Sequence, residues 1–297
     1  MAQTTNQKKY NLKERLMELL FLICALASIF AVLLICVFLF ANGLPAMAKI
    51  GLFDFLGGRK WAPTDVPPSF GIFPMIVGSV YITGGAILLR VPIGILTAVF
   101  LARFCPRPAY RVLKPAIELL AGIPSIVYGF FGLVVLVPFI RKFARLFGVI
   151  SNGNTILTAS ILLGIMILPT IVGVSESAIR AVPDSYYEGA LALGATHERA
   201  VFFAVLPAAK SGILAGVVLG IGRAIGETMA VVMIAGNQAR IPDSIFKGVR
   251  TLTANIVMEM GYSTGLHREA LIATGVVLFV FILLINVSFS LLKRRMD

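Results

Sequence analysis

Long apolar runs alternate with short polar connections along this chain of 297 residues. Six of the runs reach the length of about 20 residues that a helix needs to cross the hydrocarbon core of a bilayer. They lie at 17–41, 73–101, 112–140, 154–175, 210–235 and 269–292. The pattern therefore predicts an all-α integral membrane protein with about six transmembrane helices.

The Lys and Arg residues between the runs indicate the orientation of the helices. These residues are more numerous in the N-terminal segment and in every second connection than in the others. Because cytoplasmic loops carry an excess of Lys and Arg, both termini are predicted to be cytoplasmic. The first run follows the basic segment KKYNLKERLMELL, but it is longer than a signal-peptide core and no small-residue cleavage pattern follows it, so we expect it to remain as the first span. The outer connections still carry a basic excess, which either attracts an anionic substrate or acidic partner or has no function.

The composition excludes several other classes of protein. Hydrophobic residues make up 58% of the chain, charged residues 13%, and the mean hydropathy is +0.94, whereas a soluble domain is about one quarter charged. The net charge is +12, and most of the basic residues lie in the connections, where they face anionic lipid headgroups. Because the lipid accounts for part of this charge, we do not expect the protein to bind nucleic acid. There is no GxxxxGK[ST] motif, no CxxC pair and only two histidines. We therefore expect no cofactor, metal or catalytic site in this chain.

Glycine and proline interrupt some of the predicted spans. In LLAGIPSIVYGFFG, Gly122 and Pro124 stand in the middle of the third run, where a helix should kink or break. Broken backbone at membrane depth is tolerated where it is buried in protein or lines a watery cavity. The interruptions favour a transporter, although a packing kink explains any single proline equally well.

Two charged residues interrupt the fifth run, in GIGRAIGETMAVV. Arg223 and Glu227 are four residues apart, so a continuous helix would place them on one face and allow them to pair. At 1.5 Å per residue, Arg223 lies about 20 Å from Lys210 and hence near the middle of the bilayer. Charges at that depth usually mark a functional site. The alternative is a structural pair that supports close helix packing along a small-residue stripe of Gly212, Gly216, Gly220 and Ala224.

A third buried charge, Arg90, lies in the second run. It is 13 residues from Arg103, or about 20 Å deep by the same rise. Together with Arg223 it would suit a path for anions. Alternatively, Arg90 extends toward the headgroups or binds a backbone carbonyl.

The connection 182–207, VPDSYYEGALALGATHERAVFFAVLP, predicts a short helix that starts at Pro183 and Asp184, a break at Gly194, and a second helix that ends near Pro207. Four apolar side chains of the connection are expected to be exposed: Tyr186, Tyr187, Leu191 and Leu193. The segment resembles the EAA loop of ABC importer permeases, in which a coupling helix docks onto a separate ATPase subunit. The match falls on Glu188, Gly189, Ala190, Gly194, Leu206 and Pro207, with glycine in place of the first alanine and Ala204 in place of an isoleucine.

Three further segments make the resemblance more specific. FGIFPMIVGS (70–79), ELLAGIPSIVYGFFGLVVLVP (118–138) and GRAIGETMAVVMIAGN (222–237) are similar to the permeases of bacterial phosphate-specific ABC importers, closest to the PstC type. The resemblance implies a type I importer permease that passes inorganic phosphate across the bacterial inner membrane. It implies that Arg223 and Glu227 lie on the phosphate path, with Glu227 orienting Arg223 and neutralising it when the path is empty.

The same resemblance implies the partners and the organisation of the chain. A PstA-type sister permease would form a heterodimer with it, two PstB-type ATPases would bind ATP and Mg, and a PstS-type extracytoplasmic protein would deliver phosphate. Residues 1–70 would form an N-terminal segment with the first span, 71–292 the permease core, and 293–297 a basic tail.

Other readings remain open at this point. The chain is alternatively a permease for another oxyanion such as sulfate or molybdate, a PstA-like sister subunit, or a secondary transporter, which would not need an EAA loop. A membrane enzyme is disfavoured because there is no nucleophile–base pair or metal cluster. A structural anchor is disfavoured by the buried charges and broken spans.

Overall fold

A computed structural model describes the backbone of residues 2–294 and the side chains of residues 13–291. Its helices are α1 (Ala2–Ile50), α2 (Leu52–Gly57), α3 (Phe73–Val99), α4 (Arg107–Gly122), α5 (Ser125–Phe131), α6 (Val137–Leu146), α7 (Ile156–Arg180), α8 (Asp184–Ala192), α9 (His197–Ala200), α10 (Leu206–Ala208), α11 (Lys210–Gly226), α12 (Met229–Ile234), α13 (Leu252–Glu259) and α14 (Gly265–Arg294). Short π-helical segments at Phe100–Phe104, Gly132–Leu136 and Val201–Val205 join neighbouring helices. A small antiparallel pair, β1 (Trp61–Ala62) and β2 (Ser69–Phe70), places Trp61 opposite Phe70. The all-α prediction is confirmed. Most of the predicted basic tail, 293–297, lies outside the described residues.

Five helical segments are long and apolar enough to cross a membrane: Lys13–Ile50, Phe73–Phe104, Ser125–Leu146, Ile156–Arg180 and Gly265–Leu291. The remaining predicted span, 210–235, consists of α11 and α12, separated by a short break. Gly212, near the start of α11, lies against Ala178 in the last turns of α7, and Gly236, after α12, lies against Asn154 just before α7. The two helices therefore traverse the length of α7 and complete the six spans.

The third span differs from its predicted limits. α4 ends at Gly122, the backbone is extended through Pro124, and the span itself is Ser125–Leu146. α4 has no buried residue, and its apolar and polar side chains lie on opposite sides, as is typical of a helix at a membrane surface. One continuous span over 112–140 is therefore wrong, because the aliphatic residues of α4 extend the apolar run across the break. The interruption at Gly122 and Pro124 is confirmed.

α7 is the central helix of the bundle. In the most apolar 18 residues of Ile156–Arg180, 67% of the residues are buried. In the most apolar 18 residues of Phe73–Phe104, which contains α3, 28% are buried. A Cβ added to Gly94 of α3 or to Gly220 of α11 would lie less than 3.0 Å from the side chain of Ile171. Gly85 of α3 lies against Ser160 and Gly94 against Ile171, so α3 runs parallel to α7. Gly212 of α11 lies against Ala178 and Gly220 against Ile171, so α11 runs antiparallel to it. The predicted small-residue stripe of α11 is therefore a packing surface.

The first span is attached to the rest of the chain by one end. Nearly all side chains at 13–38 are exposed, whereas Gly43 lies against Val276 of α14. Nearer the end of α1, Lys49 forms an ion pair with Glu269 (2.7 Å). α1 thus continues beyond its predicted end at 41 and packs antiparallel to α14.

The bundle has two ends that differ in structure. The connection 182–207 and the start of α4 lie at one end, which we call the loop end. The β1–β2 pair, α13 and the first turns of α7 and α14 lie at the other, which we call the hairpin end. The break between α11 and α12 lies between these ends.

Candidate functional site

The fifth span is interrupted at one of the two charged residues that the sequence singled out. α11 ends one residue before Glu227, which is extended (φ −68°, ψ 129°). The Glu227 carboxylate accepts hydrogen bonds from the N–H groups of Thr228 (3.1 Å) and Ala230 (3.3 Å), which would otherwise be unsatisfied donors at the start of α12. Its backbone carbonyl accepts a bond from Thr253 Oγ1 (3.2 Å). Glu227 therefore holds the break between the two half-helices.

Arg223 and Glu227 do not form the ion pair that their spacing predicts. Such a contact requires a helix that continues through both residues, and α11 ends between them. Arg223 is exposed on the surface of the chain, and its Nη1 donates a long hydrogen bond to Thr170 Oγ1 of α7 (3.4 Å). Among the described side chains, no carboxylate forms an ion pair with it. Arg223 is thus a positive charge within a span, open to a partner outside the chain.

Arg90 lies against a different part of α7. Its aliphatic stem crosses the helix at Gly164, where an added Cβ would be 2.3 Å from Arg90 Cγ. The Arg90 Nε is buried and has no hydrogen-bond partner within the described structure. Gly164 and Thr170 are about 9 Å apart along α7 and about 120° apart around it. The fold therefore does not bring Arg90 and Arg223 together.

The connection 182–207 folds as predicted into two helical parts with a break at Gly194. α8 begins at Asp184, Gly194 has φ +84°, and the second part, His197–Ala208, meets α11 at an angle of 69°. Of the residues that match the EAA pattern, Glu188, Gly189, Gly194 and Pro207 are exposed and Ala190 and Leu206 are partly buried. The left-handed backbone at Gly194 explains why glycine stands there.

This connection presents several large apolar side chains to the exterior, namely Tyr186, Leu191, Leu193 and Phe203. Tyr187 was expected to join them, and that expectation is wrong. Its hydroxyl is 2.6 Å from His197 Nδ1, and its ring lies beneath the guanidinium of Arg103 at 5.9 Å. Tyr187 therefore joins α8 to the second helical part and to the bundle, and does not face outward.

Sequence reasoning missed a buried carboxylate at the loop end. Glu176 of α7 is 2% exposed and accepts hydrogen bonds from Tyr110 Oη, Lys114 Nζ and Arg180 Nε, each at 2.8 Å. Arg180 also donates to the carbonyl of Leu101 (2.8 Å). The hydrogen bond to Glu176 and burial raise the pKa of Tyr110 above its ordinary value. Since Tyr110 and Lys114 belong to α4, this carboxylate ties the surface helix to the central one.

A second buried carboxylate organises the hairpin end. Glu259 of α13 accepts hydrogen bonds from Trp61 Nε1 (2.9 Å) and Arg250 Nη1 (2.5 Å), and His267 Nε2 lies 2.8 Å away. Arg250 also donates to Asn255 Oδ1 (3.0 Å). Glu259 lies in the connection between the predicted spans 210–235 and 269–292. Its burial shows that it fixes the β1 strand, α13 and α14 to one another.

Comparison with known proteins places this architecture in a family. Residues 90–297 match the family described as "Binding-protein-dependent transport system inner membrane component". The "Probable ABC transporter permease protein YqgH" of Bacillus subtilis is 41% identical over 271 residues, covering 89% of this chain and 86% of that protein. The "Phosphate transport system permease protein PstC" of Mesorhizobium japonicum is 38% identical over 275 residues, covering 87% and 83%.

Solved structures agree with this assignment at the level of the fold. An alginate ABC transporter chain, in a complex with a pentasaccharide-bound periplasmic protein, has a TM-score of 0.62 at 15% identity and covers 91% of this chain and 94% of that chain. A chain of the methionine ABC transporter MetNI in an inward-facing conformation has a TM-score of 0.56 at 18% identity, with coverage of 76% and 94%. These likenesses confirm the predicted type I importer permease architecture. The chain therefore belongs to the family of inner membrane components of binding-protein-dependent transport systems.

Proposed function

We propose that this chain is the PstC-type transmembrane subunit of an ATP-driven importer and that it passes inorganic phosphate across the bacterial inner membrane. The observation that carries the proposal is Arg223, an exposed charge within a span beside a broken helix. An arginine at the bilayer centre costs about 2.5–3.5 kcal/mol by insertion scales. The surface around it is therefore covered by protein or water rather than by lipid. A planar guanidinium in such a path matches the oxygens of phosphate, and relatives that share most of this chain are named as phosphate permeases.

The surface around Arg223 faces a PstA-type sister permease, and the phosphate path runs between the two subunits. Irregular backbone such as the break at Glu227 is tolerated at membrane depth where it lines a watery cavity. Because Glu227 caps α12, its role is to fix the geometry of the path beside Arg223 rather than to neutralise it. Arg90, on another side of α7, is the second candidate for a contact with phosphate.

The loop end faces the cytoplasm, and both termini lie on that side. The connection 182–207 docks there onto one of two PstB-type ATPases, which bind ATP and Mg and carry out hydrolysis. The exposed Tyr186, Leu193 and Phe203 would be buried in that contact. The hairpin end receives phosphate from a PstS-type extracytoplasmic binding protein.

The test uses the complete importer in proteoliposomes, with uptake of labelled phosphate as the measurement. The variants are Arg223→Gln, Glu227→Gln and the double variant, each checked for assembly by copurification of the ATPase. We expect Arg223→Gln to reduce uptake at least tenfold, which corresponds to about 1.4 kcal/mol. Since no ion pair joins the two residues, uptake in the double variant should be reduced at least as much as in Arg223→Gln. Arg145→Gln, an exposed arginine near the end of α6 that is away from the break, is the matched control.

Two results would overturn the proposal. Recovery of uptake in the double variant would mean that Arg223 and Glu227 are a structural pair and that phosphate passes elsewhere. Efficient uptake of labelled sulfate, with phosphate unable to compete, would retain the transport role and reject phosphate as the substrate.

A further inference from the structure

Four arginines surround one cavity at the loop end of the bundle. The cavity has a volume of about 360 Å³ and lies between the π-helical segment after α3, the first turns of α4 and the last turn of α7. Its basic lining residues are Arg103, Arg107, Arg111 and Arg180, and it has no acidic lining residue among those described. Tyr110 and Cys105 complete its polar lining.

Two of these arginines use some of their N–H donors in hydrogen bonds to other groups of the protein. Arg180 donates Nε to Glu176 and Nη2 to a backbone carbonyl. Arg103 donates Nη1 to Asp184 (3.1 Å) and Nη2 to the carbonyl of Ile179 (3.3 Å), while its Nε is buried without a hydrogen-bond partner in the described structure. Their positions are therefore fixed, and their positive charge is only partly compensated.

The other two arginines have no ion pair with any described carboxylate. Arg107 and Arg111 are exposed and stand one turn apart at the start of α4. The first turn of this 16-residue helix contains no acidic residue, and no side chain caps it. The positive end of the helix dipole therefore adds to the two guanidinium charges.

Two acids pair with the cavity arginines and offset only part of their charge. Glu176 is already bound by Lys114, Arg180 and Tyr110. The side chain of Asp184 is 76% exposed, so its pairing with Arg103 is weak and easily replaced. The cavity thus has a net positive charge, fixed donors and room for a small anionic group.

We propose that this cavity binds a phosphate group, presented either by free inorganic phosphate or by the headgroup of an anionic lipid. Guanidinium groups bind phosphate oxygens through paired, charge-assisted N–H bonds, and four arginines around one cavity suit a group that carries more than one negative charge. An occupant that contacts Arg103 would displace Asp184, which is the first residue of α8. The site would therefore connect a bound phosphate group to the connection 182–207. It is distinct from the path at Arg223 and does not depend on the proposed transport of phosphate.

The test compares two pairs of exposed arginines that have the same spacing. Arg107→Gln/Arg111→Gln removes the two unpaired guanidinium groups of the cavity. Arg141→Gln/Arg145→Gln makes the same change on α6, far from it. The full chain is purified with its partner subunits, without the extracytoplasmic binding protein, and assembly is verified by size-exclusion chromatography.

Two measurements distinguish the two sources of the phosphate group. Equilibrium dialysis with [³²P]phosphate in a neutral detergent measures free phosphate, and native mass spectrometry measures phosphatidylglycerol that remains bound after washing. We expect the Arg107/Arg111 variant to lose at least about tenfold in one of the two, because it removes two charge-assisted contacts. The Arg141/Arg145 control should retain that binding.

A loss of phosphate binding identifies the free ion as the ligand, and a loss of phosphatidylglycerol identifies the lipid. The proposal is overturned if neither ligand is weakened in the Arg107/Arg111 variant, or if the α6 control weakens them equally. Uptake by Arg223→Gln tests the transport path, whereas binding by the Arg107/Arg111 variant tests this cavity, which Arg223 does not line, so the two proposals can fail independently.

Discussion

Replacing Glu176 with glutamine should detach α4 from the bundle while preserving the size of the side chain. The change removes the negative charge to which Lys114 Nζ and Arg180 Nε each donate at 2.8 Å. Breaking a fully buried ion pair costs about 3–5 kcal/mol, but Lys114 and Arg180 are 22% and 45% exposed and can be partly hydrated, so we expect a loss of about 2–3 kcal/mol. Tyr110 keeps an acceptor, because the amide oxygen of glutamine can replace one carboxylate oxygen.

The free energy of unfolding is measured by denaturation of the purified protein in mixed micelles with increasing dodecyl sulfate. Limited proteolysis in the 105–125 region reports whether α4 has become accessible. Glu118→Gln is the control, because Glu118 is 64% exposed and lies 3.5 Å from the same lysine, Lys114. Its loss should be no more than about 1 kcal/mol. If Glu176→Gln is no more destabilising than Glu118→Gln and leaves α4 resistant to protease, the cluster does not hold the helix.

Three further predictions concern stability, packing and topology. Tyr110→Phe should cost about 1 kcal/mol near neutral pH. The hydrogen bond to Glu176 and burial raise the pKa of Tyr110 above its ordinary value of 10.0. The stability that this hydrogen bond contributes is therefore present below pH 10 and is lost as the pH rises through the pKa of the folded state. Above that pH the free energies of unfolding of the variant and the wild type should become equal. Gly220→Ala places a Cβ 2.8 Å from the facing side chain of α7 and should cost about 1–3 kcal/mol. Gly222→Ala meets no atom within 4 Å and should stabilise the helix by up to about 1 kcal/mol, so equal losses of both variants in the same denaturation assay would contradict the packing. Reporter fusions at Thr64 and after the last residue should report opposite sides of the membrane, and identical signals would reject the six-span topology.

The number and order of the spans follow from the sequence because they depend on local composition. An apolar run of sufficient length has few alternatives in a bilayer, whatever surrounds it. The third run shows the limit of this reasoning. α4 carries enough aliphatic residues on one side to be counted with the span after Pro124, and only the tertiary structure separates a surface helix from the helix that crosses the membrane.

The candidate site was less predictable, because its geometry depends on contacts between distant segments. The spacing of Arg223 and Glu227 predicted an ion pair, but Thr253, 26 residues further on, binds the Glu227 carbonyl at the point where α11 ends. Glu176 and Arg180 are one helical turn apart, so their ion pair can be predicted from the sequence. Tyr110 and Lys114 are more than 60 residues away from Glu176, so their contacts with it cannot. Pairing rules for continuous helices cannot anticipate either arrangement.

The position of α1 has a consequence for the biogenesis of the protein. Its contacts with the rest of the chain are made mainly with α14. The Lys49–Glu269 ion pair joins residues that are 220 positions apart. At synthesis rates of about 5–20 residues per second, α1 waits roughly 10–45 s in the membrane before the ribosome delivers the helix against which it packs. An ordinary bundle helix would expose a polar face to lipid during that interval. α1 is apolar on all sides over its first turns within the membrane, so it can reside alone in the bilayer until translation ends.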